Sequence, residues 1–296
     1  MTNLEKYRSL LHDGVQGLLL TSRYSRMYAA EFDIAEGVAV VSAQGARYFT
    51  DSRYIEAAQQ EVQGAQVELV TRERGKLTAT ARGCRKPQSK LLTAASPFCY
   101  GEYVLNERNG RFYVSQCTVR ETFYNLRLRP EALYAATFVC GVAEEFANPE
   151  EPYLKQFSLL LHGLSLLSRE EIPVEGALAF YLAKMLDFEG YRLVTERCGI
   201  CGRTDNLQYM DLERGGAVCG TCGFGRMELF PLPERAMRLL AVLPQMPSSA
   251  YDGAGELLAE YGKDLEPLLE AYVRGIVPPR LPPSKVAYNF HAELPQ

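Results

Sequence analysis

The chain has 296 residues and is 47% hydrophobic, with a formal net charge of −4. The length allows two or three small domains with their own cores, and the hydrophobic share, ordinary for a globular protein, excludes a chain without a buried core. The charge is too small to dictate a partner on its own. In chain order, "LEKYRSLLHDG" predicts an amphipathic helix ending at Gly14, with Asn3 as its N-cap. "GLLLTS", "GVAVVSA" and "RYFT" predict strands, and a helix follows Asp51 with Tyr54, Ala57, Ala58 and Val62 on one face. "AQVELV" predicts a further strand, so the opening reads as α/β. From Thr71 to about Pro130 the pattern is all-β. "KLTATARG" alternates, and two long strands flank Asn109-Gly110, a strong hairpin signal. From Pro130 onward the periodicity is helical. One helix begins at Pro130. The next carries a stripe of Leu154, Phe157, Leu161 and Leu164, and a third carries Leu178, Tyr181, Leu182 and Met185. Two more are expected, from Pro233 to about Leu243 and from about Glu256 to Val273, before a proline-rich arm.

The start carries no signal-peptide pattern. The longest apolar stretch, "FSLLLHGLSLL", is too short for a membrane span, so a cytoplasmic, reducing compartment is expected. There, eight cysteines point to metal ligands or buried thiols rather than disulfides. Cys198 and Cys201 form one C-x-x-C, and Cys219 and Cys222 form a second. Gly follows each pair (Gly202, Gly223), which lets the backbone curl and aim amides at the sulfurs. Four thiolates at this spacing fit tetrahedral zinc in a structural site, since they leave no position open for water. Redox dithiols or buried thiols are the bland alternative. Cys99, Cys117 and Cys140 lie in apolar stretches and are expected in the core.

Charge is unevenly spread. Residues 71 to 130 hold twelve Lys/Arg against four Asp/Glu, a net of +8, which leaves −12 for the rest. A basic island in an acidic chain is the footprint of a polyanion-binding surface. The candidate phosphate contacts are Arg72, Arg74, Lys76, Arg82, Arg85, Lys86, Lys90 and Arg111, with Tyr113 among several interleaved aromatics able to stack bases. Taken singly, each is more readily explained by solvated surface or core packing.

From about Thr71 onward, "TRERGKLTATARGCRKPQSKLLTAASPFCYGE", "RFYVSQCTVRETF" and "RCGICG…RGGAVCGTC" resemble the RecO family of bacterial recombination-repair mediators. The resemblance implies a multidomain α+β chain: an OB-fold β-barrel over 71–130, then a helical domain (an α-helical bundle) over 131–296 with an embedded four-cysteine zinc motif at 198–222. It implies no catalytic residues. It further implies binding to single- and double-stranded DNA, strand annealing, and work with RecR, single-stranded DNA-binding protein and, through them, RecA. Residues 1–70 instead resemble the N-terminal, non-catalytic domain of the creatinase/prolidase/aminopeptidase P family, best in "FTDSRYIEAA". The first strand expected of an OB barrel has no counterpart, and the charge shift at Val70–Thr71 reads as a seam. Two other readings remain: a zinc-ribbon interaction module without DNA binding, and a creatinase-type metallopeptidase fragment, which lacks the expected ligands.

Overall fold

The structure is a computed structural model and describes residues 17–20, 38–42, 45–49, 65–84, 88–247, 251–277 and 281–285. The helices expected over 4–14 and after Asp51 lie outside the described residues, as do Arg85 and Lys86. Strands β1 (Gly17–Leu20), β2 (Val38–Ser42) and β3 (Gly45–Phe49) form an antiparallel meander. Leu19 faces Val40, and Val40 faces Arg47.

Strand β4 (Ala65–Thr71) does not join that meander. It pairs with β5 (Gly75–Ala81) in a second sheet of order β4-β5-β7-β6, with β6 at Tyr100–Arg108 and β7 at Arg111–Glu121. The strand runs unbroken through Val70–Thr71. β5 and β7 are parallel, with Ala79 beside Phe112 and Thr80 beside Tyr113. β6 and β7 form the antiparallel hairpin expected at Asn109-Gly110. Asn109 and Gly110 have φ of 51° and 69°, the left-handed pair a two-residue hairpin turn needs to match strand twist. Among the described residues this sheet does not close on itself, and β4 and β6 are its ends. Alternation sorts its faces. Leu77, Ala79, Ala81 and Val114 are buried, whereas Thr78, Arg82, Arg108 and Arg111 are exposed. Val67, Ala81, Leu91, Ala94, Ala95, Tyr103 and Val114 line the apolar interior, where the Tyr103 hydroxyl donates to the Ala94 carbonyl at 2.7 Å.

The chain divides into two compact units: residues 1–68 with 78–122, and residues 69–77 with 123–296. In the second unit, helices α1 (Pro130–Phe146), α2 (Leu154–Ser168), α3 (Val174–Phe188) and the long α6 (Tyr251–Ile276) pack together. α3 is the axis. Residues Gly176 to Leu186 are all buried, including the expected Leu178, Tyr181, Leu182 and Met185. Such an all-round apolar helix sits inside a bundle rather than on its surface. The stripe expected on α2 requires correction. Leu154 is 49% exposed, and the buried side is Leu159, Leu160, Gly163, Leu164, Leu166 and Leu167. In a run this rich in leucine, several stripes fit the helical period equally well, and packing decides among them. α5 (Glu234–Val242) follows Pro233 as expected.

The β4–β5 turn belongs to the helical unit. Thr71 organises it locally: its hydroxyl accepts from the Arg74 amide and donates to the Gly75 carbonyl. The link between α1 and α2 then clasps it. The Glu150 amide donates to the Arg74 carbonyl at 3.0 Å, and the Tyr153 amide to the Arg72 carbonyl at 2.9 Å.

Candidate metal centre and nucleic-acid face

Between α3 and α5 the chain builds a small module around the four cysteines. Its three-stranded sheet has the order β10-β8-β9, from β8 (Leu207–Asp211), β9 (Gly216–Cys219) and β10 (Phe230–Pro231). Cys198 and Cys201 lie in the loop before β8, Cys219 ends β9, and Cys222 sits in the one-turn helix α4 (Gly220–Gly223). Glycines shape both knuckles. Gly202 (φ 77°) closes the first, its amide donating to the Cys198 carbonyl at 2.9 Å. At Gly223 a Cβ would lie 2.4 Å from the Tyr209 ring, so only glycine admits that packing.

The four sulfurs all lie within 4.8 Å of one another, and Cys201 and Cys219 Sγ are 3.7 Å apart. Sulfurs bound tetrahedrally at ~2.3 Å from one ion stand ~3.8 Å apart. The cluster therefore has the dimensions to hold a metal ion. At Cys198 and Cys219 the surroundings favour anionic sulfur. Burial opposes ionisation of Cys198, but the amides of Cys219, Cys201 and Ile200 outweigh it and bring the thiol down to about 6. Hydrogen bonding to the Cys222 amide lowers Cys219. Cys222 is pushed up to about 12 by hydrogen bonds with Cys201 and Cys219. Four adjacent thiols cannot all ionise unless a cation compensates them. Of the other cysteines, Cys84 is buried, whereas Cys99, Cys117 and Cys140, expected in the core, are half-buried.

The basic residues fall into two groups, one in each unit. Arg72, Arg74 and Lys76 belong to the helical unit; Arg82, Lys90, Arg111 and Tyr113 belong to the β unit. Arg74 pairs with Glu150 through Nε at 2.8 Å and Nη2 at 2.5 Å, and Lys76 Nζ with Glu144 at 2.7 Å. Two of the expected phosphate contacts are thus matched by acids of the same unit. Arg72 and Lys90 are exposed.

In the β unit the geometry is more suggestive. The Arg82 guanidinium lies 4.7 Å from the centroid of the half-buried Tyr113 ring, a cation–π arrangement. Thr80, Arg82, Arg111 and Tyr113 share the sheet's outer face. On the same face Arg108 stands directly opposite Arg111 beside the Asn109-Gly110 turn. The hairpin signal with this register makes that pairing readable from sequence, yet Arg108 is not among the expected contacts. Further down the hairpin, Arg120 pairs with Glu102 at 2.6 Å.

Two family models match the chain. The family model described as "Recombination protein O N terminal" matches residues 64–123, and that described as "Recombination protein O C terminal" matches residues 127–281. The first span includes β4. Curated relatives are DNA repair proteins RecO. That of Caldanaerobacter subterraneus subsp. tengcongensis is 28% identical over 175 residues, 59% of this chain and 71% of the relative. That of Alkaliphilus metalliredigens is 30% identical over 155 residues, 52% of this chain and 63% of the relative. That of Acetivibrio thermocellus is 25% identical over 202 residues, 67% of this chain and 80% of the relative.

Proposed function

The chain belongs to the recombination protein O family, and from that premise we propose that it is a non-enzymatic DNA repair and recombination mediator. It binds single- and double-stranded DNA, promotes strand annealing, and prepares DNA for RecA with RecR and single-stranded DNA-binding protein in the bacterial cytoplasm. The reading is compatible with the absence, among the described residues, of any helix long and apolar enough to cross a membrane. The observation that carries it is the outer sheet face with Arg82, Arg111 and Tyr113. Residues 78 to 122 hold seven Lys/Arg against three Asp/Glu. Basic side chains at a sheet surface neutralise phosphates, and aromatics among them stack unpaired bases.

We read the sheet as strands two to five of an OB barrel. The order β4-β5-β7-β6 with a parallel β5–β7 pair is what remains when the first strand, which would join β4 to β6, is taken away. On this reading the repair-family part begins near residue 64, and the segment before it is a separate creatinase-type piece. The cysteine cluster takes zinc in a structural role: four sulfur ligands leave no open position.

The test is a fluorescence-anisotropy titration of a labelled oligonucleotide at several salt concentrations. Affinity should fall linearly on a log–log plot, as counterion release requires. Flat, salt-independent or absent binding sinks the reading. One observation favours a protein-docking role for the knuckle instead. Phe224 and Met227 are 86% and 96% exposed, the first within and the second just after the turn that the Arg226 amide closes on the Gly223 carbonyl. A chain that holds zinc and a protein partner but ignores DNA would support that alternative.

A further inference from the structure

We propose that the tip of the β6–β7 hairpin is a one-nucleotide subsite for single-stranded DNA. Arg108 and Arg111 jointly hold one phosphate, and the base of that nucleotide stacks on the Arg82–Tyr113 pair. The proposal rests on the DNA-binding reading above and assigns it an address.

The argument begins with a cost. Arg108 and Arg111 are register partners across the two-residue turn, so their Cα atoms are about 5.5 Å apart and their side chains leave the same face. Like charges directly opposite in a sheet repel. Both are exposed, and among the described residues neither has an ion-pair partner. Arg74, Lys76 and Arg120, by contrast, each face a carboxylate. An anion between the two guanidiniums removes the repulsion, and a phosphate offers oxygens to both.

The second observation is independent. Tyr113 lies two residues beyond Arg111 on the same strand and face, about 7 Å away. That is the scale on which phosphate and base of one extended nucleotide are separated. The ring is held in place by Arg82 at 4.7 Å and paired in register with Thr80 and Asn106. A flat guanidinium–phenol pair is a platform for a base of any identity. In duplex DNA the base faces are already stacked, so the platform serves single strands.

The experiment uses the full chain and two labelled probes, a thymidine oligonucleotide and a duplex of equal length, titrated at four salt concentrations. Arg108→Ala/Arg111→Ala should reduce the salt slope for the single strand by about 0.7, the value for one phosphate. Arg108→Lys/Arg111→Lys should restore it. Tyr113→Leu should weaken single-strand binding about 5- to 150-fold without altering the slope. An abasic oligonucleotide should bind wild type more weakly, yet bind wild type and Tyr113→Leu alike. An unchanged slope in the double alanine variant overturns the subsite, as does a loss of about 1.4, which would mean two separate phosphates. Equal weakening of single strand and duplex by Tyr113→Leu overturns the stacking role. If wild type binds neither probe, the DNA-binding reading itself falls and the subsite with it. Unaltered binding by the variants beside normal wild-type binding removes the subsite alone. The variants' far-UV circular dichroism should match wild type, since all three side chains lie on the sheet's outer face.

Discussion

At the scale of single residues, Gly75 is where the β4–β5 turn meets the helical unit's own backbone. Its φ is +59°, and a Cβ there would lie 2.0 Å from the Asn148 carbonyl oxygen and 2.9 Å from that of Glu151. Gly75→Ala combines left-handed strain with a clash against main chain that cannot swing away. It should lower unfolding free energy by more than about 2 kcal/mol, read as a shift in urea midpoint. Glu270 makes a prediction about pH. Burial opposes its ionisation, but the Ser284 hydroxyl and the Arg274 guanidinium outweigh it, so its pKa is lowered on folding. A lowered carboxyl stabilises the fold above its unfolded value of about 4.3, and the gain is lost as pH falls through the lower folded value. Its neighbour Glu266 is buried, pairs with Lys285, and has its pKa raised by burial, which gives the opposite sign. Glu270→Gln should therefore flatten the acid limb of a stability-versus-pH curve below about pH 4.3. An unaltered limb would mean that Ser284 and Arg274 contribute nothing through this carboxylate.

At the scale of elements, the cysteine module is the part that a bound ion would do most to hold together. Its strands are short, β10 having two residues and β9 four, and its ligands come in two pairs from separate places in the chain. Metal analysis should find about one zinc per chain. Chelation should loosen β8, β9 and β10 while the helices of the bundle keep their dichroism, because α3 is buried by α1, α2 and α6. Amide exchange would read the difference, and uniform loss across bundle and module would refute it. Loss should quicken as pH falls, since protons compete for the same sulfurs. The hairpin, by contrast, is held by its own turn residues and needs no ion. That is why Asn109-Gly110 announces it in the sequence, as C-x-x-C twice announces the cysteine site. Both are local patterns with nearly unique geometric solutions.

At the scale of the whole molecule, counting charge is a blunt instrument. It identifies a basic stretch, but Arg74 and Lys76 meet carboxylates 76 and 68 residues away. No window slid along the sequence contains both members of such a pair. The same limit explains the α2 stripe: a leucine-rich helix declares that it is buried without declaring which side, and Leu154 ends up exposed. The change of composition at Val70–Thr71 is real but falls inside β4, because a strand is defined by its neighbour and the neighbour is β5. That sheet's parallel pair has a consequence in time. Ala79 and Phe112 are register partners, yet the later one is synthesised 33 residues after the first. At ~5–20 residues per second, β5 waits roughly 2–7 s on the ribosome before β7 exists. Through that interval Leu77, Ala79 and Ala81 have β4 for company and no opposite strand. A nascent chain of this protein therefore carries a half-built sheet, and slowing translation just upstream of Arg111 prolongs the period in which it is open to a chaperone or a stray strand.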